Sequence, residues 1–322
     1  MYIKETIDFC GRPLTIESGK IAKQASGSCF VRYGETVIFV AVTASKGIEE
    51  DRGFFPLSVE YREKFYASGR IPGGFFKREA RPSEREILAA RLTDRPLRPL
   101  FPKGFNNETS VVINVLSYDG ENEPDILGTI GASAAILVSD IPWNGPVASI
   151  RMGKIDGELI VNPTVEQSSE SVLDITVSGT SDSIVMVEGG SDFISEEELV
   201  ECIQKAHETI KEVISMQEAL ASQLDITKRS VLEPEINQEL HNSIDSIIKD
   251  DYKKLNEPKN KFNHYEDIRL YLDDICDQLK DTYPDDVGSI KSYIHDKIDS
   301  DLRVRTLNGQ RADGRKLDEV RD

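Results

Sequence analysis

Phe75, Phe76, Lys77 and Arg78 stand side by side in this sequence, with Arg81 three positions on. Aromatic faces stack on unpaired bases while neighbouring cations take phosphates, a grip on single strands that tolerates any base order. Arg91 and Arg95 follow four residues apart, a spacing that brings both guanidinium groups out on one face of a helix. The stretch that holds them, Tyr61 to Lys103, carries eleven Lys or Arg against five acids, a local net of +6. The whole chain is −18, so the remainder sums to −24. A positive segment in an acidic molecule concentrates the field where a polyanion would be held and repels it elsewhere. A charged surface helix with two core phenylalanines would share this composition. The glycines and prolines favour a presented loop.

The flanking elements must position these residues. GRIPGG at 69–74 packs three glycines and a proline into six residues and reads as a loop, delivering Phe75 to Arg78 at a tip or rim. Pro82-Ser83 then opens a helix, with Glu84 and Glu86 in its favourable first turn. Ile87, Leu88, Arg91, Leu92 and Arg95 follow at helical spacing, and Pro96 and Pro99 are expected to end it. Upstream, 12–60 is strand-rich, with VIFVAVTA (37–44) a buried strand and PLSVEY (56–61) feeding the basic segment. Downstream, SVVINVLSYD (110–119) is a strand and ILGTIGASAAILVSD (126–140) a small-residue helix able to lie close against a sheet. A hairpin turns at Asp156-Gly157, strands follow at 173–180 and 183–190, and Ser195 caps a long amphipathic helix to about Leu224. Residues 1–227 therefore read as a β-rich α+β domain with helices packed on sheets. From 228 to 305 strands disappear. Apolar stripes at Ile236, Leu240, Ile244 and Ile247, at Ile268, Leu272, Ile275 and Leu279, and at Ile290, Ile294 and Ile298 predict a small all-α domain. From Gly309 the chain turns basic again and reads as a tail or the opening of a further domain.

Composition narrows the class. No run approaches the roughly 20 apolar residues of a membrane span, so no membrane contact is expected. The start, MYIKETIDFC, has no apolar secretory core. Cys10, Cys29, Cys202 and Cys276 lie far apart without metal-ligand spacing, as do the four histidines. Reduced, mostly buried thiols and a cytoplasmic location are expected, with no metal site in this chain. Neither GxxxxGK[ST] nor a strand-GxGxxG-helix unit is present, so the glycines of 126–140 carry no phosphate-loop signal.

GRIPGGFFKREARPSEREILAARLTDRPLRPLFPKGF and EPDILGTIGASAAILVSDIPWNGPVASIRMG closely resemble the bacterial polynucleotide phosphorylases (polyribonucleotide nucleotidyltransferases). The resemblance runs over nearly the whole chain and is closest from about 50 to 190. It implies an RNase PH-like core (ribosomal protein S5 domain 2-like) over 1–227, the family's helical domain over 228–305, and the truncated start of a second RNase PH-like core over 306–322. RADGRKLDEVRD resembles the opening of that second core. The family forms a homotrimeric ring that admits single-stranded RNA and associates with other RNA-degradation proteins. It cleaves RNA from the 3′ end with inorganic phosphate as co-substrate, releasing nucleoside diphosphates. Its channel loop has the pattern FFRR, matched here by Phe75, Phe76, Lys77 and Arg78. Lys77 keeps the charge but loses the planar fork of arginine. By the same resemblance Arg91 and Arg95 support the active site of the adjoining second core.

The departures bear on catalysis. The family's second core holds phosphate with a serine-rich loop and Mg2+ or Mn2+ with aspartates on a GDMDFKVAGT-like strand. The matching stretches here are EPDILGT and SVLDITVSGT, with Val172, Asp174 and Thr176 at the two aspartates and the lysine. Phosphoryl transfer needs those charges, so no catalytic residue is expected in this chain and the metal is expected in the second core. Two other readings stay open on sequence: a stand-alone single-stranded RNA-binding or scaffold module, and a helical platform for protein partners.

Overall fold

The computed structural model describes all residues except 48–53, 74, 76, 77, 80, 232–236, 260, 321 and 322, and the side chain of residue 261. The chain divides into two compact units, Met1–Pro234 and Glu235–Asp322.

Alternation builds the first unit. In β4 (Thr36–Ala44) every second residue from Thr36 to Val42 is buried, and β6 (Thr109–Ser117) buries Thr109, Val111, Ile113 and Val115 in the same rhythm. These strands pair antiparallel at the centre of a six-stranded sheet. Its order is β1 (Ile3–Phe9), β2 (Arg12–Ser18), β3 (Gly27–Tyr33), β4, β6 and then β5 (Leu57–Glu63) at the edge. β5 and β6 run parallel. Parallel neighbours cannot be joined by a tight turn, so the chain between them must leave the sheet and return. That crossover is the basic segment: a short 3-10 helix (Phe65–Ser68), the loop, and α1 (Glu84–Leu97).

α2 (Asp125–Leu137) is buried throughout from Ile126 to Ile136, as expected of a helix that is apolar all round. Small residues let it approach the sheet closely: a β-carbon added at Gly131 would lie 2.6 Å from Val40 Cγ2. A second, antiparallel sheet has the order β10 (Ile184–Ser191), β9 (Leu173–Gly179), β7 (Ala148–Ile155), β8 (Glu158–Val161). Its β7–β8 turn places Asp156 and Gly157 at φ of 50° and 85°, the conformation that this dipeptide favours. α3 (Val165–Glu170) precedes β9, and α4 (Glu196–Ala221) packs on β7 and β9 behind a Ser195–Glu198 capping box. A polar lock joins α2, α4 and β7: Ser133 Oγ donates to Gln217 Oε1 at 2.5 Å, and Gln217 Nε2 donates to the Val147 carbonyl at 3.1 Å. Beyond α4, the Lys228 ammonium donates to the carbonyls of Ile136, Leu137 and Ser139, and Arg229 pairs with Asp140.

The second unit is helical: α5 (Gln238–Ile248), α6 (Lys261–Leu279) and α7 (Val287–Leu307) bury Leu240, Ile244, Ile268, Leu272, Ile275, Leu279, Ile290, Ile294 and Ile298. No described helix is long and apolar enough to cross a membrane. Cys29, Cys202 and Cys276 are buried, whereas Cys10 is exposed at the β1–β2 turn.

Three details differ from the sequence reading. Residues 3–9 form β1, whose inward row of Ile3, Ile7 and Phe9 is interrupted by Glu5. α1 runs through Pro96 to Leu97 before passing into a 3-10 turn, Pro96 lacking the N–H that would bond to the Leu92 carbonyl just before the helix ends. Ile248 rather than Ile247 completes the α5 stripe, Ile247 being only partly buried. Ile236 lies outside the described residues.

Gly131→Ala should therefore destabilise the protein by about 1–3 kcal/mol through overpacking against Val40 and Val31, read as a lower midpoint in chemical denaturation.

Candidate nucleic-acid interface

The two limbs of the crossover are joined by carboxylates. Glu86, buried in the first turn of α1, accepts the Ser83 N–H at 2.6 Å through Oε2 and the Glu63 N–H at 2.8 Å through Oε1. Its own N–H donates to Ser83 Oγ at 3.2 Å, completing a capping box. One side chain thus ties the last residue of β5 to the N-cap of α1. Glu79 adds a second tie: its Oε1 accepts the Phe65 N–H at 2.7 Å, and Lys64 Nζ lies 3.4 Å from its Oε2. The Phe65 amide and the Lys64 ammonium hold the Glu79 carboxyl below the ordinary carboxylate range.

Between these ties the chain is displayed. Gly69 closes the 3-10 helix in the left-handed region at φ 69°, where a side chain would be strained. Phe75 is 93% exposed, and Arg70, Arg78 and Arg81 are exposed with it. Phe76 and Lys77 lie outside the described residues. Arg91 and Arg95 both emerge on the outer face of α1 but serve different sides. Arg91 lines a groove with Arg62, Ile87 and Arg98, whereas Arg95 pairs with Glu188 of β10.

On the Arg95 side, α1 faces the second sheet and the N-terminus of α2 across a cleft of about 500 Å³. Asp174 and Thr176 line it, as do Glu123 and Asp125 of EPDILGT. The carboxylates here already have cationic partners. Arg85 pairs with Glu123, and Arg151 donates to Asp125 at 2.8 Å and lies 3.4 Å from Asp174. Burial pushes the Glu123 carboxyl up while Arg85 opposes the shift. Val172 is an exposed residue just before β9. Among the described residues no group of three or more His, Cys, Asp or Glu is placed to hold a metal. The committed carboxylates do not fit one.

Sequence reasoning passed over Phe65 and Tyr66, which are 45% and 58% exposed at the root of the loop. Their signal was an aromatic pair beside Lys64. Glu86 is read from sequence only as an acid in the first turn of the helix, and its bonds to Ser83 and Glu63 come from the structure.

Residues 11–142 match the 3′ exoribonuclease family, domain 1, and residues 145–209 match domain 2 of that family. Over 99% of its length the chain is 44% identical to the polyribonucleotide nucleotidyltransferase of Thermomicrobium roseum, covering 42% of that protein. It is 41% identical to the enzyme of the same name from Heliobacterium modesticaldum over 98% of the chain and 45% of the relative. For Finegoldia magna the figures are 42% identity, 100% and 45%. The chain thus spans less than half the length of these relatives. The structure of rice (Oryza sativa) Rrp46 superposes with a TM-score of 0.53 at 18% identity, covering 65% of this chain and 95% of that one, a likeness of fold.

Removing the Glu86 carboxylate leaves two backbone donors without their acceptor. Glu86→Ala should cost about 1–3 kcal/mol in denaturant titration, whereas Glu84→Ala on the exposed side of the same turn should cost under about 1 kcal/mol.

Proposed function

The chain belongs to the 3′ exoribonuclease family, and we propose that it is the RNA-admitting part of a 3′-to-5′ phosphorolytic exoribonuclease. In this reading three copies form a ring, and Phe75, Phe76, Lys77, Arg78 and Arg81 line the entrance for single-stranded RNA. Arg91 and Arg95 support an active site in a second core outside this chain, where inorganic phosphate attacks the 3′-terminal linkage and a nucleoside diphosphate leaves. Mg2+ or Mn2+ belongs to that second core, together with the charges that offset the transferring phosphoryl group. The location is cytoplasmic, and contacts with other RNA-degradation proteins go with the whole enzyme.

The observation that carries this reading is the exposed, doubly tied basic loop of a strongly acidic chain. The loop offers Phe75 for stacking and Arg78 and Arg81 for phosphates. The cleft of Asp174 supports the non-catalytic assignment, because its arginines are occupied by the chain's own carboxylates. A phosphate entering there would meet Glu123 and Asp125 beside arginines already paired with carboxylates.

The direct test compares phosphate-dependent release of nucleoside diphosphate from a homopolymer RNA by this chain and by a longer protein carrying the second core. Release by the longer protein alone is the expected result; release by this chain alone would overturn the non-catalytic assignment. Separately, Arg78→Gln and Arg81→Gln should each lower the slope of log affinity against log salt by about 0.7. Unaltered slopes in both would remove the phosphate contacts.

A further inference from the structure

Beside the loop lies a cleft of about 280 Å³ lined by Glu63, Lys64, Phe65, Arg70, Arg85 and Tyr118, among others. We propose that it is a nucleobase subsite, in which one base of a single-stranded RNA stacks on Phe65 and Tyr118 while Arg70 takes the adjoining phosphate. The proposal rests on the reading of the basic loop as an RNA contact and extends that contact from the tip of the loop to its root.

Charge singles out this cleft. Its lining holds three cations and one carboxylate. Four other clefts among the described residues are neutral or negative: the groove of Arg91 balances three cations with three acids, and the cleft of Asp174 sets five acids against two. Two of the three cations answer to carboxylates of the chain's own, so the draw on a phosphate rests on Arg70. Availability points the same way. Lys64 is engaged by Glu79, and Arg85 by Glu63 and Glu123, but the Arg70 guanidinium makes no ion pair among the described residues. The volume sits at the lower end of ligand pockets, which suits one base rather than a folded partner.

The subsite is also preorganised. The Tyr118 N–H donates to the Ala67 carbonyl at 2.9 Å, and the Arg70 N–H donates to the Phe65 carbonyl at 2.9 Å. Glu79 fixes the Phe65 amide. The two aromatic residues and the arginine are thus tied through backbone bonds to one 3-10 turn, which fixes the backbone that presents them. Phe65 stays 45% exposed in this setting, an aromatic surface that the core does not use.

The test measures affinity for an oligouridylate and for an abasic strand of equal length. Phe65→Ala should weaken oligouridylate binding roughly 5- to 100-fold, leave abasic binding unchanged, and be rescued by Phe65→Tyr. Arg70→Gln should weaken both and lower the salt slope by about 0.7. Thermal melting of each variant checks the fold, which a half-exposed side chain should not disturb. Weaker binding in Arg78→Gln with none in Phe65→Ala or Arg70→Gln removes the cleft and leaves the loop. Unchanged affinity in Arg78→Gln removes the loop reading, and the subsite with it.

Discussion

Glu86 is the point on which the candidate interface depends. β5 and β6 are parallel, so a long excursion between them is unavoidable, and an excursion of that length has many ways to lie. By accepting from Glu63 and Ser83 at once, a single buried carboxylate brings the two ends of the excursion together. Glu79 repeats the device one turn further out. The exposed Phe65 and Arg81 lie close in sequence to these two ties. The arrangement uses charge-assisted bonds from backbone donors, which are stronger than neutral ones, where apolar packing would have hidden the aromatic residues.

The same chain uses its arginines in two contrasting ways. Around Asp174 they are consumed internally: Arg85, Arg95 and Arg151 each meet a carboxylate of the chain's own. Along the loop, Arg70, Arg78 and Arg81 are left to solvent. Internal pairing removes the field from the first site, and the surplus acid elsewhere sharpens it at the second.

Much of this was legible in the sequence because it is local. Ser83 with Glu86, Ser195 with Glu198, and Asp156-Gly157 each announce a turn or cap within four residues, and each stands where its chemistry requires. The apolar rhythm of β4 and β6 likewise fixes which face is buried. What stayed hidden is non-local. The parallel pairing of β5, the reach of Glu86 to Glu63, and the meeting of Tyr118 with the 3-10 turn all join residues far apart in the chain. β1 escaped because Glu5 interrupts the inward row of Ile3, Ile7 and Phe9 and leaves the alternation weak. The candidate residues were readable as types and spacing, and the cleft beside them only from the way the chain closes on itself.

Both sheets of the first unit end in strands that have a neighbour on one side only, and β10 is solvent-exposed along most of its length. Ile184 and Val187 stand on that strand with a bare glycine pair behind them. An unfinished edge of this kind is a template for pairing with another chain. Its guard here is colloidal rather than steric. At neutral pH the net charge of −18 opposes indiscriminate stacking of such edges. As the medium is acidified towards the isoelectric point near 4.8 that repulsion fades, while the backbone donors and acceptors of the edge are untouched.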